Sequence, residues 1–158
     1  AGNKIDQAIA DYIKKTFNLA IGDRTAEEVK IKIGAAVPLE EELSVTIKGR
    51  DFIQGLPRSA RVSTNEIVKA IDGELKQIIK AIKDVLQETP PELASDIIDQ
   101  GIIMTGGSSQ LRNLADLVYR KTGVKATLAE DALFCVVKGT GIALDHLDVY
   151  KKTVLSKK

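Results

Sequence analysis

The sequence predicts an α/β fold: helices packed around a partial mixed sheet, with a small antiparallel-sheet subdomain ahead of it. Three observations predict it. Apolar residues recur at helical spacing over long stretches near the start and middle of the chain. Leu43, Val45 and Ile47 alternate strictly with Ser44 and Thr46, the period of a half-buried strand. In the second half, short apolar runs alternate with helical patterns, as in a partly parallel sheet covered by helices.

Ile5, Ile9, Tyr12, Ile13 and Phe17 form one stripe, with Lys4, Lys14 and Lys15 off it, which predicts a helix over 4–17. Thr25 followed by Glu28 has capping-box spacing and predicts the start of a second helix, buried through Val29 and Ile33 and stopped at Gly34. Residues 34–62 read as the small antiparallel sheet, with strands at 42–47 and 60–62 and turn signals at Gly49 and Gly55-Leu56-Pro57. Ser63 and Glu66 give a second capping box. The long helix it opens runs through Ile67, Ile71, Leu75, Ile78, Ile79, Ile82 and Leu86, weakened or kinked at Gly73. Thr89-Pro90-Pro91 ends that helix and starts another, with Leu93, Ala94, Ile97 and Ile98 as its buried face and Gly101 as its stop. Ile102-Ile103-Met104 reads as a buried strand. A helix through Leu111, Leu114, Leu117 and Val118 follows, then a strand over 124–128. A last helix over 132–147 is interrupted at Gly139-Thr140-Gly141. Two strands are too few for such a sheet: either further strands come from a segment outside these residues, or one strand here reads as another element. A solvated, frayed basic tail is expected over 151–158.

At 158 residues, 44% hydrophobic and 28% charged, the chain has the composition of an ordinary globular protein. Aromatics are 4% and Trp is absent, so the core is built from Ile, Leu, Val and Ala. A net charge of +1 offers no field for nucleic acid or acidic membrane. Cys135 is the single cysteine, forms no internal disulfide and reads as a small buried hydrophobe in a reducing compartment. No apolar run approaches the roughly 20 residues of a membrane helix, and no signal peptide is visible. The opening Ala1-Gly2-Asn3, without Met, reads as an excised segment of a longer protein.

Two stretches could carry chemistry. In Gly101–Leu114 a strand leads into Gly106-Gly107-Ser108-Ser109 and then a helix. Glycines without Cβ let a flat ring or sugar lie on the backbone, and a helix N-terminus offers free N–H groups. Taken alone, this reads more readily as a ligand-free turn; it is neither a P-loop nor a complete G-x-G-x-x-G. In Thr25–Gly34, Glu27 and Lys30 share a helical face, either to meet a ribose and a purine or as a solvated intrahelical ion pair. His146, the only histidine, reads as a surface helix-end residue, and no metal site is suggested. There is no G-x-S-x-G elbow, and no spacing pairs two acids for acid–base work.

Several segments together resemble one family. Ile21-Gly-Asp-Arg-Thr-Ala-Glu-Glu-Val-Lys-Ile-Lys-Ile-Gly34, Lys48-Gly-Arg-Asp51, Gly55-Leu-Pro57, Thr89-Pro-Pro-Glu-Leu-Ala-Ser-Asp-Ile97, Gly101-Ile-Ile-Met-Thr-Gly-Gly107, Leu111-Arg-Asn-Leu114 and Ala129-Glu-Asp131 look like the MreB-type bacterial actins, in order and over nearly the whole chain. The resemblance implies one half of the actin, sugar-kinase and heat-shock ATPase fold, a ribonuclease H-like half, with an outer subdomain over 1–62 and an inner one over 63–150. It implies adenosine contacts at Glu27, Glu28, Val29 and Lys30, at Gly106, Gly107, Ser108 and Ser109, and at Gly2. ATP or ADP with magnesium would bind the full-length protein, and this segment alone would hold nucleotide weakly or not at all. The family's Gly-Gly-Gly reads Gly106-Gly107-Ser108 here. Its phosphate loops and catalytic residues do not occur in these residues, so the resemblance implies no ATPase activity for the segment. It also implies a cytoplasmic filament protein at the inner face of the cell membrane, which guides cell-wall synthesis. Its partners would be its own copies, a RodZ-type membrane adaptor and the cell-wall machinery, with no nucleic acid and with membrane contact through the other half. The missing strands would leave an open sheet edge and an oligomeric segment. Two other readings fit less: the nucleotide-binding half of a chaperone- or sugar-kinase-like ATPase, and a ligand-free interaction module.

Overall fold

A computed structural model of the chain describes residues 2–154. The first helix, α1 (Gly2–Phe17), buries Ile5, Ile9 and Ile13, the predicted stripe. Asn18, in the left-handed region at φ 51°, ends it and turns the chain into a two-residue strand, β1 (Leu19–Ala20). Strand β1 has no signature in the sequence, because two residues carry no periodicity.

The second helix, α2 (Asp23–Ile33), starts two residues before Thr25. Its cap is Gly22, whose carbonyl accepts from the Ala26 N–H at 3.1 Å. The expected Thr25–Glu28 capping box is therefore not formed. Thr25 lies inside the first turn, where Asp23 meets the positive end of the helix dipole. Ala26, Val29 and Ile33 face inward.

Strands β2 (Ser44–Asp51) and β3 (Pro57–Ser63) form the antiparallel hairpin, longer than the alternation predicts, and β1 pairs with the free edge of β2. Asp51 closes the turn. Its Oδ1 accepts the N–H groups of Ile53 and Gln54, each at 2.9 Å, and Arg58 Nε lies 2.9 Å from its Oδ2. The two backbone bonds first, and the guanidinium after them, hold the Asp51 carboxyl below its ordinary pKa.

The Ser63–Glu66 box forms as expected, with the Ser63 N–H donating to Glu66 Oε2 at 2.9 Å. It opens α3 (Thr64–Glu88), which passes through Gly73 without a break. One apolar core joins Ile9 and Ile13 of α1, Val29 of α2, Ile47 of β2, Val62 of β3 and Ile67 and Ile71 of α3. It spans the 62/63 position.

Beyond α3 the cover thins. Helix α4 (Pro91–Gln100) buries no residue; Leu93 and Ile98 of its expected inner face are 55% and 68% exposed. Strand β4 (Ile102–Met104) pairs in parallel with β5 (Ala126–Leu128), and Ile103 is 70% exposed, so β4 is not the buried strand expected. Between them, a short 3₁₀ turn (Gly107–Gln110) precedes α5 (Leu114–Thr122), whose Val118 packs with Ile79 and Ala126 in a second cluster.

Helix α6 (Cys135–Asp145) runs through Gly139 and Gly141. The break expected there falls at His146 instead, before α7 (Leu147–Val154). Residues 151–154, expected in a frayed tail, are helical, and the rest of that tail lies outside the described residues. Cys135 opens α6 half-buried rather than in the core. His146 is exposed at a helix end, as expected. No helix among the described residues is long and apolar enough to cross a membrane.

Candidate functional site

Helix α2 and the turn after β4 are remote in sequence and adjacent in space. They enclose a cavity of about 110 Å³ lined by Ile5, Lys30, Ile31, Gly107, Ser108 and Arg112 among others. The hydrophobic stripe that seats α2 on the core decides which residues reach it. Val29, 2% exposed, is part of the core and offers no side chain to a ligand. Lys30 and Ile31, next along the helix, form one wall.

Lys30 reaches α1 rather than Glu27. Its Nζ lies 2.8 Å from Asp6 Oδ1 and 2.9 Å from Oδ2, with both side chains largely shielded. The intrahelical Glu27–Lys30 pair is not formed. Asp6 Oδ1 is buried, and the nearby ammonium does not meet it at hydrogen-bonding angles, so it keeps acceptor capacity. Glu27 rims an adjoining hollow with Asn3, Asp6, Gln7, Asp23 and Arg24. Glu28 points to another flank, 3.5 Å from Arg24 and 3.8 Å from Lys32, over a groove beside β2.

The opposite wall is the Gly106–Ser109 turn. Gly106 adopts φ +84°, a region that a side chain disfavours, and its N–H donates to the Ala132 carbonyl at 2.8 Å. Gly107 faces the cavity, with nothing nearer to the place of a Cβ than Leu133 Cδ1 at 4.0 Å. Ser108 lines the cavity. Ser109 is 9% exposed, and its hydroxyl donates to the Gly106 carbonyl at 2.6 Å, so it holds the turn. The helix α5 does not follow the turn at once. The 3₁₀ turn and Asn113, at φ 58°, intervene, so the turn itself, not the N-terminus of α5, presents backbone to the cavity.

Gly2 completes the group: a Cβ there would sit 3.1 Å from Ser108 Oγ and 3.9 Å from Lys30 Nζ. Gly2, Lys30, Gly107 and Ser108 thus converge. Glu27 stands at the adjoining rim, Gly106 and Ser109 shape the turn, and Glu28 and Val29 face elsewhere. Sequence reasoning missed Asp6, Ile31, Gly34 and Arg112. Asp6 meets Lys30 across 24 positions, a separation no spacing rule detects. Among the described residues, no group of three or more His, Cys, Asp or Glu could hold a metal ion.

The model of the MreB/Mbl protein family matches residues 1–152. The cell shape-determining protein Mbl of Bacillus subtilis (strain 168) is 42% identical over 156 residues, which are 99% of this chain and 47% of Mbl. The chain therefore spans about half the length of the curated relatives it matches. Among solved structures, MreB5 of Spiroplasma citri bound to ADP superposes with a TM-score of 0.88 at 37% identity, over 99% of this chain and 47% of that one. The MamK double helical filament superposes at 0.70 and 26% identity, over 85% of this chain and 41% of that one.

Proposed function

Because this chain belongs to the MreB/Mbl family of cell shape-determining, actin-like proteins, we propose that it is the nucleoside-clasping half of an ATP-binding, filament-forming cytoskeletal protein. The observation that carries the reading is the convergence of Lys30, Gly107 and Ser108 on one cavity, with Gly2 beside Ser108 and Lys30. One wall is a helix carrying an aliphatic lysine stem and an isoleucine. The other is a turn whose glycine opposes no side chain. Such a slot fits a flat purine, and the carboxylate of Glu27 at the rim of the adjoining hollow suits ribose hydroxyls. The MreB5 structure with bound ADP and the MamK filament support nucleotide binding and self-assembly in relatives.

In this reading the phosphates, magnesium and the attacking water are handled by residues outside this chain, which alone does not hydrolyse ATP. ATP joins the two halves and favours a closed, filament-competent state; hydrolysis shifts that population. Residues 1–62 act as an outer subdomain and 63–150 as an inner one that carries the turn. The exposed apolar surface of α4, β4 and α6 is covered by the remainder of the longer protein. The filament works at the inner face of the cell membrane, with a RodZ-type adaptor and the cell-wall machinery as partners.

The test is an NMR titration of this chain with adenosine and with ATP. Shifts confined to Gly2, Lys30, Gly107, Ser108 and their neighbours, similar for the two ligands, are expected. Shifts elsewhere, or a strong preference for ATP over adenosine, would contradict the assignment of the nucleoside side.

A further inference from the structure

We propose that Arg112 is a positioning residue that fixes the spacing between the two walls of the cavity, and so its capacity for a flat base; the ligand half of this statement rests on the nucleoside reading above. The walls belong to separate elements, α2 and the 106–110 turn, and Arg112 joins them twice. Its main-chain carbonyl accepts the Ala36 N–H at 2.7 Å, where Ala35 and Arg112 form an isolated parallel bridge. Its side chain returns across the gap, and Nη1 donates to the Lys32 carbonyl at 2.9 Å.

The chemistry of that bond suits an arginine. Lys32 stands in the last turn of α2, where carbonyls have no partner in the helix and the dipole is negative. A guanidinium satisfies such a carbonyl and places its charge where the dipole favours a cation. The Lys30 carbonyl, two residues back, is already taken by the Gly34 N–H at 2.9 Å. Gly34 lets the walls close. A Cβ there would lie 2.3 Å from the Lys30 oxygen and 3.0 Å from Leu111 Cδ1, so the leucine beside Arg112 packs onto bare backbone. Both Gly34 and Arg112 line the cavity that they frame.

The experiment compares the chain with Arg112→Ala and Arg112→Lys by amide hydrogen exchange, urea unfolding and adenosine titration. In Arg112→Ala, exchange at Gly34 and Ala36 accelerates about tenfold, the scale of losing one charge-assisted hydrogen bond, while the amides of α3 and the unfolding midpoint hold. Adenosine affinity falls by a similar factor, and Arg112→Lys, which keeps a cation but not the planar fork, lies between. Unchanged exchange at Gly34 and Ala36 overturns the positioning role, whatever the ligand does. Accelerated exchange with unchanged adenosine affinity overturns the link to the cavity. If the unmodified chain binds no adenosine at several millimolar, the nucleoside reading and the link to the ligand fall with it, while the exchange data still decide whether Arg112 joins the walls.

Discussion

Replacing Gly107 by valine should weaken nucleoside binding about tenfold or more while leaving the fold intact. The cavity is about 110 Å³, and Gly107 is the part of its turn wall that presents no side chain. Three added carbons project into that space. The folded chain tolerates them, because a Cβ at 107 meets nothing closer than Leu133 Cδ1 at 4.0 Å. Gly107 is also absent from the glycines with positive φ. Such a change should stay within about 0.5 kcal/mol of the parent in stability. Gly106→Val is the control. Its φ of +84° makes any side chain strained, at a cost of about 1–2 kcal/mol, so it loses stability as well as binding. A nucleoside half-site with a dissociation constant of about 1 mM binds with only about −4 kcal/mol, and losing about 1.4 kcal/mol of that moves it to about 10 mM. Adenosine titrations followed by NMR to several millimolar would then show shifts that approach saturation for the parent and only weak, linear ones for Gly107→Val. Urea midpoints would separate the two variants. A Gly107→Val chain that binds adenosine like the parent would refute the placement of the base against this turn. A midpoint that falls as far as that of Gly106→Val would refute the claim of free space.

Four further outcomes follow from the packing and the charges. Gly73→Ala should raise stability by about 1 kcal/mol in denaturant unfolding, since Gly73 is mid-helix and a Cβ there meets nothing within 4 Å. Ile9→Ala, at the centre of the core, should lower it by about 2–5 kcal/mol in the same assay. The Asp51 carboxyl has a folded pKa below its unfolded one, so its contribution is complete above the unfolded value, near 3.8, and fades as pH falls through the folded value. Unfolding midpoints of the parent and of Asp51→Asn should therefore differ at neutral pH and converge in acid; a constant gap from pH 7 to pH 2 would contradict the turn assignment. The uncovered apolar surface of α4, β4 and α6 should make this chain self-associate at micromolar concentration in light scattering, and a clean monomer would speak against it.

What was legible in the sequence is what local physics decides. The amphipathic stripes of α1 and α3 name their own buried residues, and the Ser63–Glu66 box marks its helix start to the residue. The same box at Thr25–Glu28 misleads because hydrogen-bonding residue types at the right spacing do not fix where a helix begins; the turn at Gly22 does. Gly139 and Gly141 look like a break, yet each costs only about 1 kcal/mol in a helix, and α6 continues through them. Of the candidate site, the glycine turn and Lys30 could be seen in advance, because one lacks side chains after a strand and the other sits beside a carboxylate pattern. Asp6, Gly34 and Arg112 could not. Their roles exist only after α1, α2 and the turn have been brought together by the core, and a single sequence holds no trace of that pairing.

The apolar surface of α4, β4 and α6 and the half-formed site are physically connected. The turn that forms one wall of the cavity is held from behind by the Gly106 N–H, which donates to the Ala132 carbonyl at 2.8 Å. Ala132 is itself buried at 2% exposure, but the residues around it, Leu133, Phe134 and Val136, lie open. The wall made by α2 rests on the main core, whereas the wall made by the turn leans on the least covered part of the chain. Any partner surface that buries Leu133, Phe134 and Val136 stabilises the segment at 132, and through one backbone bond it stabilises the turn. If the cavity takes a nucleoside as proposed, linkage requires that ordering the turn in advance would raise its affinity, and that a bound nucleoside would favour the same turn and hence the partner. Association through that face and occupancy of the cavity would then reinforce one another without any residue touching both.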